Sequence, residues 1–299
     1  MIYMDIAVCG ALNLETVDEN SCQLVGGAYY SAFSIARYIK NICLIGCIGT
    51  DADEGCLKTL HDCAFLEDVN LKLSYFNGKN FRHHINTNTM NDIKDFGDYK
   101  DFFFDGNTYR TNYLVLASGS PKLHKSALAC CDYYDCLVLD SKLIYYQTAI
   151  MDVADLFYKC NIYSANTEEM ALLLKHMNAN WPYDLFEINH NLKFVIHHCH
   201  SLGGTLYDVD GVGIQWEIRP AEREMKNDVG AGDIFLGTFL GSYIKTGNLK
   251  TAIQDAAVVS YESVAKIGMA KTASFTEYQY IAKNIKLNFI DWRVGYVKN

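Results

Sequence analysis

Residues 227–244 read NDVGAGDIFLGTFLGSYI, a glycine-rich turn running straight into an apolar helix. Gly230-Ala231-Gly232 lets the backbone turn tightly and leaves several N–H groups directed at one spot. The first amides of a helix lack intrahelical acceptors and carry partial positive charge, so such a spot can hold an anion. Asp233 follows in the first helical turn, placed to take a proton from an attacking hydroxyl. A helix capped by an acid, with glycines for close packing, would use the same seven residues. Taken alone they leave the two readings balanced.

Working outward, apolar spacing predicts helices over Ala231–Lys245, Leu249–Lys266 and Glu277–Lys283. Upstream, Met4–Cys9 predicts a strand, Gly27–Lys40 a helix, Ile42–Ile48 an apolar strand, and Asp53–Cys63 a helix capped by Asp51 or Asp53. Asn70–Gly106 breaks this alternation with polar punctuation and predicts extra strands standing off the sheet. Tyr113–Ala117, Cys136–Asp140 and Asn161–Ser164 resume as short buried strands, separated by helices over Lys122–Cys131, Thr148–Tyr158 and Thr167–His176. Phe194–His198, Thr205–Val209 and Gly213–Glu217 read as strands with glycine turns between them. Such alternation predicts an α/β fold with a mostly parallel sheet covered on both faces, as one domain over residues 1–299.

Composition narrows the partners. Half of the 299 residues are apolar, enough for a sizeable core. A formal net charge of −9 counts against non-specific nucleic-acid binding, which needs Lys and Arg to displace counterions. No apolar run approaches the ~20 residues of a membrane span. The eleven cysteines are scattered, several inside runs such as ICLIGCIG, where a thiol behaves as a small hydrophobe. With no basic leader in MIYMDIAVCG, the expected setting is reduced and cytoplasmic.

The segment from Asn227 to Asp233 resembles the carboxy-terminal D-x-x-G-A-G-D signature of the PfkB (ribokinase-like) carbohydrate kinases. Four further motifs follow the order of that family. GGAYYSAFSIARY, from Gly26, looks like its amino-terminal Gly-Gly signature, and Ile45–Gly55 is similar to its G-x-x-G-x-D-x-x-G turn with one extra residue. Asn166-Thr167-Glu168-Glu169 matches N-x-x-E, and Ala256–Ala270 looks like the late helix flanking the nucleotide. The resemblance spans nearly the whole chain. It implies a three-layer α/β/α fold with a small β-strand lid, built from segments about 13–24 and 70–109. FGDYKDFFFD, residues 96–105, together with the short Asn70–Arg110 insertion, suggests the fructosamine (fructoselysine) kinase branch.

The resemblance also implies roles. Asp233 takes the place of the catalytic base, and Gly230, Ala231 and Gly232 that of the anion hole. Asn13, Glu15, Gly26, Gly27 and Ser31 take substrate positions, Glu15 one methylene longer than the usual Asp and Ser31 where Asn is common. His198, His200, Gly203, Asn227 and Val258 fall at nucleotide positions, and Asn166 and Glu169 at those organising Mg²⁺. Two departures stand out. Asn227 replaces the first Asp of the signature, which removes a charge and counts against activation by a monovalent cation such as K⁺. VIHHCHSLGG replaces the usual T-x-G-x-x-G, putting imidazoles where phosphates are lined. On residues alone, Asn166 and Glu169 also read as a helix cap, and Gly26-Gly27 as a plain turn.

Other chemistries fit less well. His197, His198, Cys199 and His200 lack a second ligand pair at zinc-site spacing. Gly78-Lys79 is followed by Asn80 and has no phosphate-loop glycine before it. Phe235 stands where a dinucleotide fingerprint needs a third glycine, and Ser118-Gly119-Ser120 is no nucleophile elbow. The expected activity is ATP-dependent phosphorylation of a sugar hydroxyl, with ATP and Mg²⁺ as cofactors and a homodimer through the lid as an option. The alternatives are a nucleoside kinase of the same fold and a degenerate member that binds without catalysis.

Overall fold

The structure is a computed structural model. It describes residues 2–18, 21–80, 82–84, 104, 108–141, 143–199, 203–218, 225–272 and 278–293. In chain order the elements are β1 (Ile2–Ala11), β2 (Asn13–Asp18), β3 (Ser21–Val25), α1 (Gly27–Ala36), β4 (Ile42–Gly49), α2 (Glu54–Glu67), β5 (Val69–Phe76), β6 (Arg82–His84) and β7 (Tyr109–Leu116). There follow α3 (Pro121–Ala129), β8 (Cys131–Tyr133), β9 (Cys136–Asp140), α4 (Leu143–Phe157), β10 (Ile162–Asn166), α5 (Thr167–Met177), α6 (Leu185–Ile188), β11 (Phe194–His198), β12 (Gly203–Asp208) and β13 (Val212–Ile218). The chain closes with α7 (Ala231–Thr246), α8 (Leu249–Ser263), α9 (Tyr278–Ala282) and β14 (Ile285–Asp291).

The main sheet runs β14-β13-β12-β11-β10-β9-β7-β1-β4-β5, with β8 pairing β7. Pairing is parallel from β5 through β11 and antiparallel from β11 to β14. Strand β4 shows why the sheet is buried on both faces. In ICLIGCIG, Ile42, Leu44 and Ile48 join the core beneath α1, α2, α7 and α8, while Cys43, Ile45 and Cys47 join the core beneath α3, α4 and α5. Side chains alternate along a strand, so an unbroken apolar run fills two cores. The result is three layers, as expected. Among the described residues, no helix is long and apolar enough to cross a membrane.

Several elements depart from the sequence expectation. Val69–Phe76 was expected to stand off the sheet with the rest of Asn70–Gly106. It instead pairs parallel to β4 over its whole length, from Ile42↔Val69 to Gly49↔Phe76. Helix α2, capped by Asp53 through the Cys56 N–H, supplies the crossover that such a parallel partner needs. The second, three-stranded sheet is β3-β2-β6, and among the described residues only Arg82–His84 of the expected insertion contributes to it. Residues 96–103 and 105 of the branch-suggesting segment lie outside the described residues. The helix expected to reach Cys131 ends at Ala129, because Cys131 opens β8. Strand β14, not foreseen, extends the sheet beyond β13.

None of the eleven cysteines is bridged. Burial pushes the Cys43 thiol up to about 11, and those of Cys47 and Cys136 up to about 12. A folded-state pKa above the unfolded one gives stability that is complete below the unfolded value, near 9, and is lost as pH rises toward the folded values. Three thiols together cost about 4 kcal/mol per pH unit in that window. Lys271 works in the opposite sense, since burial lowers its pKa to about 8, but it is a single group. Thermal melts in reductant at pH 8 and pH 10.5 are expected to show a large fall at the higher pH. Equal melting temperatures would contradict this account.

Candidate active site

Strands β1, β4, β7, β9, β10 and β11 end along one edge of the sheet, at Ala11, Gly49, Leu116, Asp140, Asn166 and His198. The chain builds outward from β1 in one direction through β4 and β5, then reverses through β7 and its successors. Open α/β sheets bind ligands in the crevice at such a reversal, beyond the carboxyl ends of the strands. At this point the Ala11 N–H donates to the Ser118 carbonyl (2.7 Å) and the Gly27 N–H to Ser118 Oγ (3.0 Å).

Helix α7 delivers Asp233 to the same place. Its N-cap, Gly230, has φ 81°, and the Tyr30 ring lies where a Cβ would stand, so no other residue fits there. Asp233 is 5% exposed. A Cβ on Gly27 would lie 2.1 Å from Asp233 Oδ1 and 2.1 Å from Ser118 Oγ, so both side chains rest directly on that glycine. Helices α1 and α7 are locked together behind them. Ser31 Oγ donates to the Asp233 carbonyl (3.2 Å), and Gly237 packs on the Ser31 backbone. Gly232 is exposed, with no atom within 4 Å of its Cβ position, so the outer side of the turn is open.

A buried polar cluster braces the turn from behind. Glu15, 2% exposed on β2, accepts from Tyr30 Oη (2.8 Å) and from Asn227 Nδ2 (3.1 Å). Asn227 Oδ1 accepts from the Val229 N–H (2.8 Å). Lys271, with no exposed surface, donates from Nζ to the carbonyls of Asn227 (2.8 Å) and Val229 (2.6 Å). Burial pushes the Tyr30 hydroxyl well up, and the Glu15 carboxylate reinforces the effect. Burial lowers Lys271 to about 8 against the pull of Glu15, Asp228 and Asp233.

This cluster explains the amide at 227. An Asp there would set a second carboxylate against Glu15 and remove one of its two donors. Asn227→Asp is expected to cost about 1–3 kcal/mol at neutral pH. The loss should shrink at pH 5, where protonation restores a donor. Urea denaturation at both pH values measures it, and a pH-independent or absent loss would count against the cluster.

The other candidates separate into those at the sheet edge and those inside the fold. Asn13 is at the edge, its amide facing Gly26, which has φ 125°. Among the described residues no donor reaches Asn13 Oδ1. Asn166 and Glu169 form a reciprocal capping box on α5. Each side chain accepts the other residue's backbone N–H at 2.9 Å. His198 pairs in register with Asn166, contacts Ser164 Oγ through Nε2 (3.1 Å), and packs edge-on against Phe235. Gly203 has φ 112°, a Cβ there would lie 2.0 Å from the Trp216 carbonyl, and its own carbonyl accepts from the Cys199 N–H. His200 lies outside the described residues.

Three candidates are turned inward. The Ser31 hydroxyl is enclosed between α1 and α7, and Val258 is fully buried in the core. The Glu15 carboxylate is engaged by its two donors. In this structure these three meet only protein partners among the described residues, in packing and in bracing. Conversely, Ser118, Tyr30 and Lys271 belong to the cluster but were not among the candidates. Tyr30 follows Gly26 by one helical turn, a legible signal. A lysine in a turn after a helix reads as solvent-facing, so Lys271 gave none.

Among the described residues no three His, Cys, Asp or Glu side chains cluster as metal ligands. With one oxygen of each side chain closing the cap, Asn166 and Glu169 still bring an amide and a carboxylate, the hard oxygen groups magnesium takes largely through water, to the carboxyl end of β10. A groove of about 740 Å³ lies elsewhere, lined by Lys125, Leu128, Tyr134 and Asp155 among others. It is on the α3–α4 side of the sheet, away from α7, and has no part in this site.

The fold is that of the ribokinase-like α/β proteins. The nucleoside kinase of Methanocaldococcus jannaschii, an archaeal member of the ribokinase family, is similar with a TM-score of 0.71 at 18% identity, covering 95% of this chain and 98% of its own. Ribokinase from Thermotoga maritima is similar with a TM-score of 0.66 at 16% identity, covering 94% and 100%. Aminoimidazole riboside kinase from Salmonella enterica, solved with aminoimidazole riboside and an ATP analogue, is similar with a TM-score of 0.61 at 16% identity, covering 93% and 99%. No family model and no curated protein matches the sequence.

Proposed function

We propose that this protein is a small-molecule kinase that transfers the γ-phosphoryl group of ATP to a hydroxyl of a sugar or nucleoside, with Asp233 as general base. One observation carries the proposal. The only acid in the first turn of α7 is buried against Gly27 at the sheet reversal, beside a glycine turn whose outer side is open at Gly232. Phosphoryl transfer asks a protein for little covalent chemistry. It asks for a positioned base and donors where charge builds up.

In this reading the acceptor lies at Asn13 and Gly26, beneath the β3-β2-β6 sheet acting as a lid. Asp233 accepts the hydroxyl proton as the oxygen attacks. The Gly230 and Gly232 amides hold the charge that develops on the transferred group, whereas the Ala231 N–H, expected to join them, donates to the Asp228 carbonyl (3.0 Å) and shapes the turn instead. ATP lies along the edge near His198, Gly203 and α8, and Mg²⁺, held through water near Asn166 and Glu169, would neutralise its phosphates. The lid keeps water from competing as acceptor.

Both the ordered motifs and the solved structures similar to this chain support the sugar and nucleoside classes. The fructosamine branch rests on residues 96–105 and the short Asn70–Arg110 insertion. A coupled assay of ADP release tests the proposal, run with ribose, other sugars, fructosamines and nucleosides. Acceptor-dependent ADP is the expected result. Acceptor binding without ADP would favour a non-catalytic binding protein and overturn the kinase reading.

A further inference from the structure

Among the described residues Lys271 is the one lysine with no exposed surface, and its ammonium makes no salt bridge there. It donates instead to two carbonyls, of Asn227 and Val229, in the turn that precedes α7. Two carbonyl oxygens converging in a dry site repel one another unless a cation lies between them. The Tyr30 ring supports the cation from a third side, 5.9 Å from Nζ to its centroid, and also closes against Gly230.

The polarity of this contact matters for the site. In a trans peptide the N–H points opposite to the C=O. The Val229 carbonyl faces Lys271, so the N–H of the same peptide, on Gly230, faces away from it, as does the Asp228 N–H opposite the Asn227 carbonyl. A positive charge behind these carbonyls polarises the amides and fixes their outward direction. The charge balance agrees. Asn227 has given up a carboxylate, and Glu15 and Lys271 supply one negative and one positive charge in the same cluster.

Resting on the kinase reading above, we propose that the Lys271 ammonium is the built-in cation of the anion-hole turn, filling the carbonyl pocket that a free monovalent ion would need. A monovalent cation does not fit beside it, because the two carbonyls are already taken at 2.8 and 2.6 Å. Lys271 is a positioning residue: it acts on the reacting phosphoryl group through the turn amides.

The test compares the full-length protein with Lys271→Ala in chloride salts of K⁺, NH₄⁺ and tetramethylammonium at equal ionic strength. Turnover of the parent protein is expected to be the same in all three salts. Lys271→Ala is expected to lose about tenfold or more in kcat, less than the ~10²–10³-fold typical of losing an anion-hole donor itself. Its KM for the acceptor should change little, and K⁺ or NH₄⁺, but not tetramethylammonium, should restore part of kcat. A parent protein that K⁺ activates severalfold would overturn the proposal, as would a variant that keeps full turnover. The same salt series read by thermal denaturation separates this inference from the kinase reading. If no acceptor yields ADP, the kinase reading fails on its own. The built-in cation then stands on a melting temperature indifferent to K⁺ in the parent and raised by K⁺ in the variant, and it falls if K⁺ stabilises the parent.

Discussion

Asp233→Asn is expected to lower kcat by about 10²-fold or more while leaving the fold intact, roughly what loss of a general base costs. Asn has nearly the shape of Asp, so the Gly27 and Ser118 contacts that seat the side chain survive the change. What disappears is the capacity to accept a proton as the acceptor oxygen attacks. The acceptor KM should stay close to that of the parent, because the proposed acceptor contacts at Asn13 and Gly26 are untouched. Steady-state assay with the acceptor identified by ADP release measures both constants. Parent-like turnover in the variant would remove Asp233 from the mechanism, and with it the reason to read the glycine turn as an anion hole.

Gly27→Ala should be as damaging to activity by a different route. The added Cβ would stand 2.1 Å from Asp233 Oδ1 and 2.1 Å from Ser118 Oγ, far inside contact distance. Either side chain must give up its present seat to make room. Ser118 is held by the Gly27 N–H and its carbonyl by Ala11, while α7 is tied to α1 through Ser31 and Gly237. A displacement of the order of 1 Å in a catalytic group can cost about 10²-fold in rate. Overpacking at a closed junction also costs about 1–3 kcal/mol. The expected result is therefore a protein that still folds, melts lower and has lost about 10²-fold or more in kcat. A variant with parent stability and turnover would show that the carboxylate does not work from this seat.

These two variants probe different origins of the same geometry. The Asp233 chemistry was legible in the chain, since a glycine turn, an acid and an apolar helix sit within 18 consecutive residues. The dependence on Gly27 was only half legible. Gly26-Gly27 announced a turn before a helix, but nothing in the sequence says which atoms, 91 and 206 residues away, will close on that Cα.

The same division runs through the molecule. Periodicity located β4, β9 and β11 almost to the residue, because an apolar run bounded by polar turns is a property of neighbours along the chain. It placed Val69–Phe76 wrongly, because whether a strand joins the main sheet or a small one depends on the partner that the preceding helix brings it to. Asn166 and Glu169 are three residues apart, and their reciprocal cap could be read directly. Glu15, Asn227 and Lys271 could not be read together. The first two are 212 residues apart, and the third is a lysine, which chain-local rules send to solvent.

By itself, then, the sequence determined the layered α/β architecture, the helix that presents Asp233 and the order of the motifs, since each depends on residues close enough to constrain one another's backbone. Only the tertiary structure decided which carboxylate is seated against Gly27 and which is engaged by Tyr30 and Asn227, where β5 pairs, and that a buried ammonium stands behind the turn. Those outcomes follow from packing and desolvation, which act through space on groups brought together only when the sheet closes.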